Sequence, residues 1–63
     1  MNAFLISYNN ETSEWLNSFN DVQLKMNDLE KSGIVSNVKV MRFEDNLMVK
    51  SFVYNYNGVD WEK

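Results

Sequence analysis

The amino-acid sequence predicts a small α+β domain in which one long helix packs on one face of an antiparallel sheet. Between residues 12 and 32 apolar side chains recur at helical spacing, whereas on both sides of that segment they alternate with polar ones, as in strands. The chain has 63 residues, of which 44% are hydrophobic, and this is enough for one core. We therefore expect residues 1–63 to form a single domain.

The first two predicted elements are a strand over residues 3–8 and a helix over residues 12–32. Spacings of four, three, four and three residues place one set of apolar side chains on a single helix face; its members are Trp15, Phe19, Val22, Met26 and Leu29. Thr12 or Asn10 is the expected N-cap of this helix. Gly33 is the expected left-handed residue that ends it.

A hairpin of two further strands follows, over residues 38–43 and 47–56. With Asp45 and Asn46 as a two-residue turn, the predicted cross-strand pairs are Phe43–Met48, Val40–Ser51 and Val38–Val53. A second turn signal, Asn57-Gly58, comes next. The last five residues then form either the stub of a fourth strand, with Tyr56 facing Val59 and Tyr54 facing Trp61, or a frayed tail.

The β-α-β-β order predicts a split arrangement in which the strand over residues 47–56 lies between the other two, with all neighbours antiparallel. This is half of a ferredoxin-like fold that lacks the second helix. The comparison concerns the fold and implies no function.

Strand alternation divides the hairpin into two apolar faces, although a single helix covers only one. The first face carries Val38, Val40, Arg42, Leu47, Val49, Ser51 and Val53; the second carries Lys39, Met41, Phe43, Met48, Lys50, Phe52, Tyr54 and Tyr56. Burying two mid-strand lysines costs several kcal/mol, so we expect the second face to point outward. Val38, Val40, Val49 and Val53, with Phe4 and Ile6, are then the expected partners of the helix. The reverse assignment stays open, because a one-residue slip exchanges the faces.

The outward face is the predicted binding surface. Methionine and aromatic side chains are typical of interface cores, and a patch of this size exceeds what a monomer usually exposes; the predicted contact residues are Met41, Phe43, Met48, Lys50, Phe52, Tyr54 and Tyr56. The sequence therefore favours a non-catalytic interaction module that forms a homodimer or binds a host protein. Its size and its lack of catalytic groups suit a regulator or inhibitor, and its size and asparagine content suggest an origin in a phage or mobile element.

Charge patterning leaves two alternatives open. Glu14, Asp21 and Asp28 recur every seven residues along the predicted helix, in a chain with a net charge of −3. Such an edge is usually only solvated, but it also suits an acidic mimic that occupies a nucleic-acid-binding protein. The second alternative is a weak single-stranded nucleic-acid binder that uses the aromatic sheet face. Six basic against nine acidic residues count against it.

The composition and motifs of the sequence exclude most kinds of catalytic, metal-binding and phosphate-binding site. The chain contains no cysteine and no histidine, which excludes a Cys or His metal site and any nucleophilic mechanism that uses these residues. No glycine-rich phosphate loop and no calcium-binding loop is present. We therefore expect no cofactor, no metal and no enzymatic activity. The apolar runs are too short to span a membrane and no secretory signal is visible, so a cytoplasmic location is expected.

Overall fold

The structure, a computed structural model, describes residues 2–9 and 12–62, which form a five-stranded antiparallel sheet and one helix. The predicted α+β class is confirmed. The strands are β1 (Asn2–Tyr8), β2 (Thr12–Leu16), β3 (Val38–Glu44), β4 (Leu47–Tyr56) and β5 (Trp61–Glu62), and the helix is α1 (Phe19–Lys31). Across the sheet the order is β2-β1-β3-β4-β5. Within the described ranges no helix is long and apolar enough to cross a membrane.

The helix prediction over residues 12–32 is wrong at its N-terminal end, where the chain forms β2. This strand pairs antiparallel with β1, so that Leu5 lies opposite Trp15 and Ile6 lies opposite Glu14. Trp15 fits the helical spacing only by coincidence. As a strand, the same segment forms a ladder of backbone hydrogen bonds with β1, which an extra helical turn would forgo. Thr12 is thus the first residue of β2 rather than a cap, and Asn10 lies outside the described residues.

Both ends of α1 have identifiable caps. Ser18 is the N-cap, and its hydroxyl accepts a hydrogen bond from the backbone N–H of Asp21 at 3.2 Å. At the other end Gly33 has φ = 81°, and the N–H of Ile34 donates to the carbonyl of Leu29 at 2.8 Å. This is a Schellman motif, and it confirms the predicted helix end at Gly33.

The strand order differs from the prediction, because β3 rather than β4 lies next to β1. The cause is β2. If the helix followed β1 directly, the next strand would run parallel to β1. Only the strand after that one could then be an antiparallel neighbour of β1. The additional strand reverses the chain once more before α1, so β3 runs antiparallel to β1 and pairs with it. The half ferredoxin-like arrangement is therefore wrong.

The β3–β4 hairpin begins as predicted and then changes register. Asp45 and Asn46 both have positive φ, 52° and 69°, as a type I′ turn requires, and Phe43 lies opposite Met48. An irregularity between Arg42 and Phe43 then shifts the pairing by one residue. Beyond it the observed pairs are Arg42–Lys50, Val40–Phe52 and Val38–Tyr54, so the predicted Val40–Ser51 and Val38–Val53 pairs are wrong.

The register shift decides which face of β4 points into the core. Tyr54 is 6% exposed, whereas Val53 is 46% exposed and Val49 is exposed as well. Val38 and Val40 are fully buried as predicted, but the expected burial of Val49 and Val53 is wrong, because a one-residue slip sends every following side chain to the other face. The core consists of Phe4, Ile6, Val22, Met26, Leu29, Val38, Val40 and Tyr54.

The C-terminal segment forms a short strand, which confirms one of the two predicted alternatives. Tyr56 pairs with Trp61, so the predicted pairs Tyr56–Val59 and Tyr54–Trp61 are wrong. The loop is longer than a two-residue turn, because the Asn57 side-chain oxygen accepts hydrogen bonds from the N–H groups of Val59 and Asp60, at 2.9 and 2.7 Å. These bonds hold residues 57–60 as one compact turn.

Candidate functional site

The helix packs on one side of the sheet, and the other side, which we call the outer face, has no second layer among the described residues. Cross-strand partners in an antiparallel sheet point to the same side, so the register assigns each residue to a face. The buried side chains of Phe4, Ile6 and Val40 mark the helix side. On β1 to β4 the outer face then contains Ala3, Leu5, Ser7, Ser13, Trp15, Lys39, Met41, Phe43, Met48, Ser51 and Val53, and at the β5 edge it also contains Asn55 and Glu62.

The side chains of the outer face form three rows that cross the strands. In the order of the strands, the central row is Trp15, Leu5, Met41 and Ser51. On one side of it lies the row Ala3, Phe43 and Met48, and on the other the row Ser13, Ser7, Lys39 and Val53. Two of the rows are therefore apolar over most of their length. The third is polar and lies toward one end of the sheet.

Trp15 and Phe43 are the largest side chains of this surface. Their rings meet edge to face with centroids 5.1 Å apart. Trp15 is nevertheless 61% exposed, because nothing among the described residues packs over it. A depression of about 560 Å³ adjoins the pair and is bordered by the amide side chains of Asn17 and Asn46. The outer face thus has a projecting aromatic ring beside a concave, partly polar rim.

Among the described residues, the strands of the outer face carry two formal charges of opposite sign, Lys39 and Glu62. Lys39 lies between Ser7 and Val53 in the polar row, and it is exposed. Glu62 lies at the β5 edge, opposite Asn55. The hydroxyl groups of Ser7 and Ser13 are hydrogen-bonded to each other at 3.0 Å. The part of the face that β1 to β4 form is therefore apolar or neutral except at Lys39.

The structure separates the predicted contact residues into two groups. Met41, Phe43 and Met48 lie on the outer face. The remaining four, Lys50, Phe52, Tyr54 and Tyr56, lie on the helix side, because the register shift precedes them. Sequence reasoning missed Trp15, Ala3, Leu5 and Val53. Ser18, three residues before Asp21, is a capping signal that could have started the helix at Phe19 and left Trp15 outside it.

The four predicted residues on the helix side take part in packing. The Lys50 ammonium lies 5.0 Å from the ring centroid of Phe52, and the rings of Phe52 and Tyr54 are 5.9 Å apart. Burial raises the pKa of Tyr54. The hydroxyl of Tyr56 is hydrogen-bonded to Glu30 of the helix, which raises the pKa of that tyrosine. These side chains close the edge of the core and leave no aromatic platform there.

The predicted acidic helix edge does not form. Glu14 lies in β2, and only Asp21 and Asp28 lie on α1. Asp21 takes part in the N-terminal cap, and Asp28 is exposed near the other end of the helix. The three carboxylates therefore do not line one stripe, because the helix begins at Phe19 rather than at Thr12.

Glu14 belongs instead to a polar cluster that ties β1 and β2 to the helix. One carboxylate oxygen accepts a hydrogen bond from the Tyr8 hydroxyl at 2.9 Å and contacts the Lys25 ammonium at 2.6 Å. The ammonium also lies 5.1 Å from the centre of the Tyr8 ring. The Lys25 hydrogen bond, reinforced by that of Tyr8, lowers the pKa of Glu14, and the same pairing raises the pKa of Lys25.

A second depression, of about 360 Å³, lies on the helix side between α1 and the β4–β5 end of the sheet. Its lining includes the rings of Phe19 and Trp61 and one carboxylate, Asp60. That carboxylate accepts a hydrogen bond from the backbone N–H of Trp61 at 2.9 Å and so serves the turn. Within residues 2–9 and 12–62, no group of three or more acidic side chains converges to hold a metal ion.

Comparisons of the chain with models of known protein families, with curated proteins and with solved structures gave no significant match.

Proposed function

We propose that this protein is a non-catalytic interaction module that binds another protein chain through the outer face of its sheet. One observation carries the proposal. An apolar surface extends over four strands, no other described part of the chain covers it, and Trp15 remains 61% exposed at one side of it. Exposed apolar patches of this extent usually mark interaction sites, and aromatic and methionine side chains are enriched in interface cores.

The scarcity of side chains that could perform catalysis supports the same function. Acid–base catalysis without histidine or cysteine needs paired carboxylates, a lysine or a tyrosine within hydrogen-bond reach of a substrate. Glu14, Lys25 and Tyr8 are engaged with one another, and Asp60 is engaged in its own turn. A small chain of this kind acts by occupying a surface, as a regulator or inhibitor does. We place it in the cytoplasm, since its fold depends on no disulfide.

Neither alternative from the sequence gains a supporting geometry. An acidic mimic needs a row of carboxylates, but Glu14 is paired with Lys25 and lies apart from Asp28. A base-stacking surface needs its aromatic rings on one face beside cations. Phe43 and Phe52 lie on opposite sides of the sheet.

Site-specific photo-cross-linking in the native host tests the proposed function. A photoreactive amino acid replaces either Met48, which is 54% exposed on the outer face, or Leu24, which is 57% exposed on the helix. The matched exposure makes the helix position a control for random collisions. We expect cross-linked adducts from position 48 well above those from position 24. Equal yields, or adducts from position 24 alone, would contradict the proposal.

A further inference from the structure

We infer that the partner of the outer face is a second copy of this chain. The inference rests on the proposed function and adds both the occupant and its arrangement. The two sheets stack face to face, at the usual spacing of about 10 Å, around a two-fold axis parallel to the strands between β1 and β3. In this arrangement β2 of one copy lies over β4 of the other, and β1 lies over β3.

The sizes of the side chains along the rows give the strongest support for this two-fold arrangement. The two-fold axis reverses each row, so Trp15, at one end of the central row, lies over Ser51 of the second copy, at the other end. In the neighbouring row, Ala3 lies over Phe43 of the second copy. Large side chains thus meet small ones twice, and each contact occurs twice by symmetry. Alternating large and small residues is how packed layers reach the density of a protein interior.

The charge distribution favours a second copy of this chain, rather than a strongly charged protein, as the partner. In the two-fold arrangement Lys39 lies over Ser7 of the second copy rather than over another lysine, and Glu62 lies outside the four strands that stack. Among the described residues, a strongly basic partner would find carboxylates only at the margins of this surface, at Glu62 and Asp45, and a strongly acidic one would find the single ammonium of Lys39. A near-neutral, apolar surface is the best complement, and the outer face itself has this character.

The overall dimensions of the molecule set an upper limit on the area of the outer face. The two longer dimensions are 34 and 22 Å, so the projected area of one face is at most about 750 Å². Standard interfaces bury roughly 800 Å² on each partner. Two outer faces therefore supply at most an interface of about standard size, as expected for a reversible dimer.

The β4 edge of the sheet offers a weaker route to self-association. The outer edge of β4 pairs with β5 only at Asn55 and Tyr56. However, the register shift near Arg42 distorts this strand, and Lys50 lies in its middle. Irregular pairing and mid-strand lysines are features that discourage edge-to-edge pairing of strands. Stacking of faces is accordingly favoured over pairing at this edge.

Sedimentation velocity over a dilution series tests whether the second copy is the partner. We expect a reversible monomer–dimer equilibrium. Ser51→Glu should raise the dissociation constant by more than about tenfold, because its carboxylate would be buried beneath Trp15 of the other copy without a counter-charge. Leu24→Glu, which changes a comparably accessible site on the helix, should leave the constant unchanged. Circular dichroism establishes that each variant is folded, and Met48→Glu replaces Ser51→Glu if needed.

Cross-linking between two different single-cysteine variants tests the orientation. The native chain has no cysteine, so Ser13→Cys and Val53→Cys each introduce one thiol at an exposed site. The axis brings position 13 of one copy over position 53 of the other, while like positions lie at opposite sides of the sheet. A short bismaleimide should therefore link the mixture far more than either variant alone. Preferential links within each variant alone would overturn the arrangement.

The outcomes also separate this inference from the proposed function. A chain that sediments as a monomer at every concentration overturns the second-copy inference. If position 48 then yields photo-cross-links to a different protein, the interaction module stands with another partner. If position 48 yields no adducts above those of position 24, both the inference and the proposed function fail.

Discussion

The indole ring of Trp15 meets the ring of Phe43 edge to face, with 5.1 Å between centroids, on the side of the sheet that the helix leaves uncovered. The two residues come from β2 and β3, which are separated in the sheet by β1. Their contact crosses the narrow side chain of Ala3, the partner of Phe43 on β1. An aromatic pair of this kind gives the outer face a rigid projection, which is the property expected of an interface anchor.

The aromatic pair should be energetically coupled even in the isolated chain. We expect a double-mutant cycle of Trp15→Ala and Phe43→Ala, measured by urea unfolding of the Ser51→Glu variant, to give a coupling of about 0.5–1.5 kcal/mol. The monomeric background removes any contribution from association. Trp15→Ala and Val53→Ala should instead be additive within about 0.5 kcal/mol, because these residues lie in different rows. Equal coupling in both cycles would contradict the described ring contact.

The register shift in the β3–β4 hairpin predicts very unequal losses of stability at two adjacent positions. Tyr54→Ala should reduce the free energy of unfolding by about 3–5 kcal/mol, as large aromatic truncations in cores do. Val53→Ala should cost less than about 1 kcal/mol, because Val53 faces outward. Urea unfolding of both variants in the Ser51→Glu background measures the difference. The reverse order would mean that the hairpin has no register shift.

Acidification should remove the stabilisation that Glu14 provides. The pKa of Glu14 is lowered in the folded chain from its ordinary value of 4.5, chiefly by the Lys25 hydrogen bond. A lowered folded-state pKa means that the contribution is present above pH 4.5 and is lost as the pH falls through the folded value. Urea midpoints at pH 7, 5, 4 and 3 should therefore fall more steeply for the wild type than for Glu14→Gln.

Salt provides the control for this electrostatic interpretation. The Glu14–Lys25 pair is partly exposed, so added NaCl should shrink the difference between the wild type and Glu14→Gln at neutral pH. Sodium sulfate, by contrast, should strengthen the dimer of the outer faces, because sulfate strengthens apolar association. If the urea midpoints of Glu14→Gln fall with pH as steeply as those of the wild type, other carboxyl groups control the acid transition.

Gly33 should be required for its backbone conformation alone. Its φ of 81° is disfavoured for any residue with a Cβ, yet a Cβ built there would have no atom within 4 Å. We therefore expect Gly33→Ala to cost roughly 1–2 kcal/mol in thermal or urea unfolding, all of it from the left-handed conformation. Ser32→Ala is the matched control, since Ser32 has φ = −87° and should tolerate the change. Equal effects at both positions would contradict the Schellman end of α1.

Parts of this fold that depend on local chemistry could be predicted from the sequence. Asp45 and Asn46 tolerate the positive φ that a two-residue hairpin requires, so β4 was predicted with its observed bounds. Gly33 marked the helix end for the same reason. In each case the signal lies within a few residues and needs no knowledge of the rest of the chain.

The parts that were wrong depend on tertiary contacts. Trp15 satisfies a helical spacing, and residues 12–16 show no apolar–polar alternation, so the strand depends on the pairing of this segment with β1, in which Trp15 lies opposite Leu5. The shift at Arg42 leaves no signature in the residue alternation of β4, yet it moves Phe52 and Tyr54 to the helix side. The sequence therefore predicts the composition of the outer face only in part: it places Met41, Phe43 and Met48 there, but it assigns Trp15, the largest side chain of that face, to the helix.

The most direct measurement of the central claim is an amide chemical-shift map of the wild-type chain recorded from millimolar to micromolar concentration. If two copies join through their outer faces, dilution shifts the amides of residues such as Leu5, Met41 and Ser51. The exposed amides of α1, for example that of Leu24, stay unchanged. Shifts that concentrate on α1, or a spectrum that does not change with concentration, would contradict it.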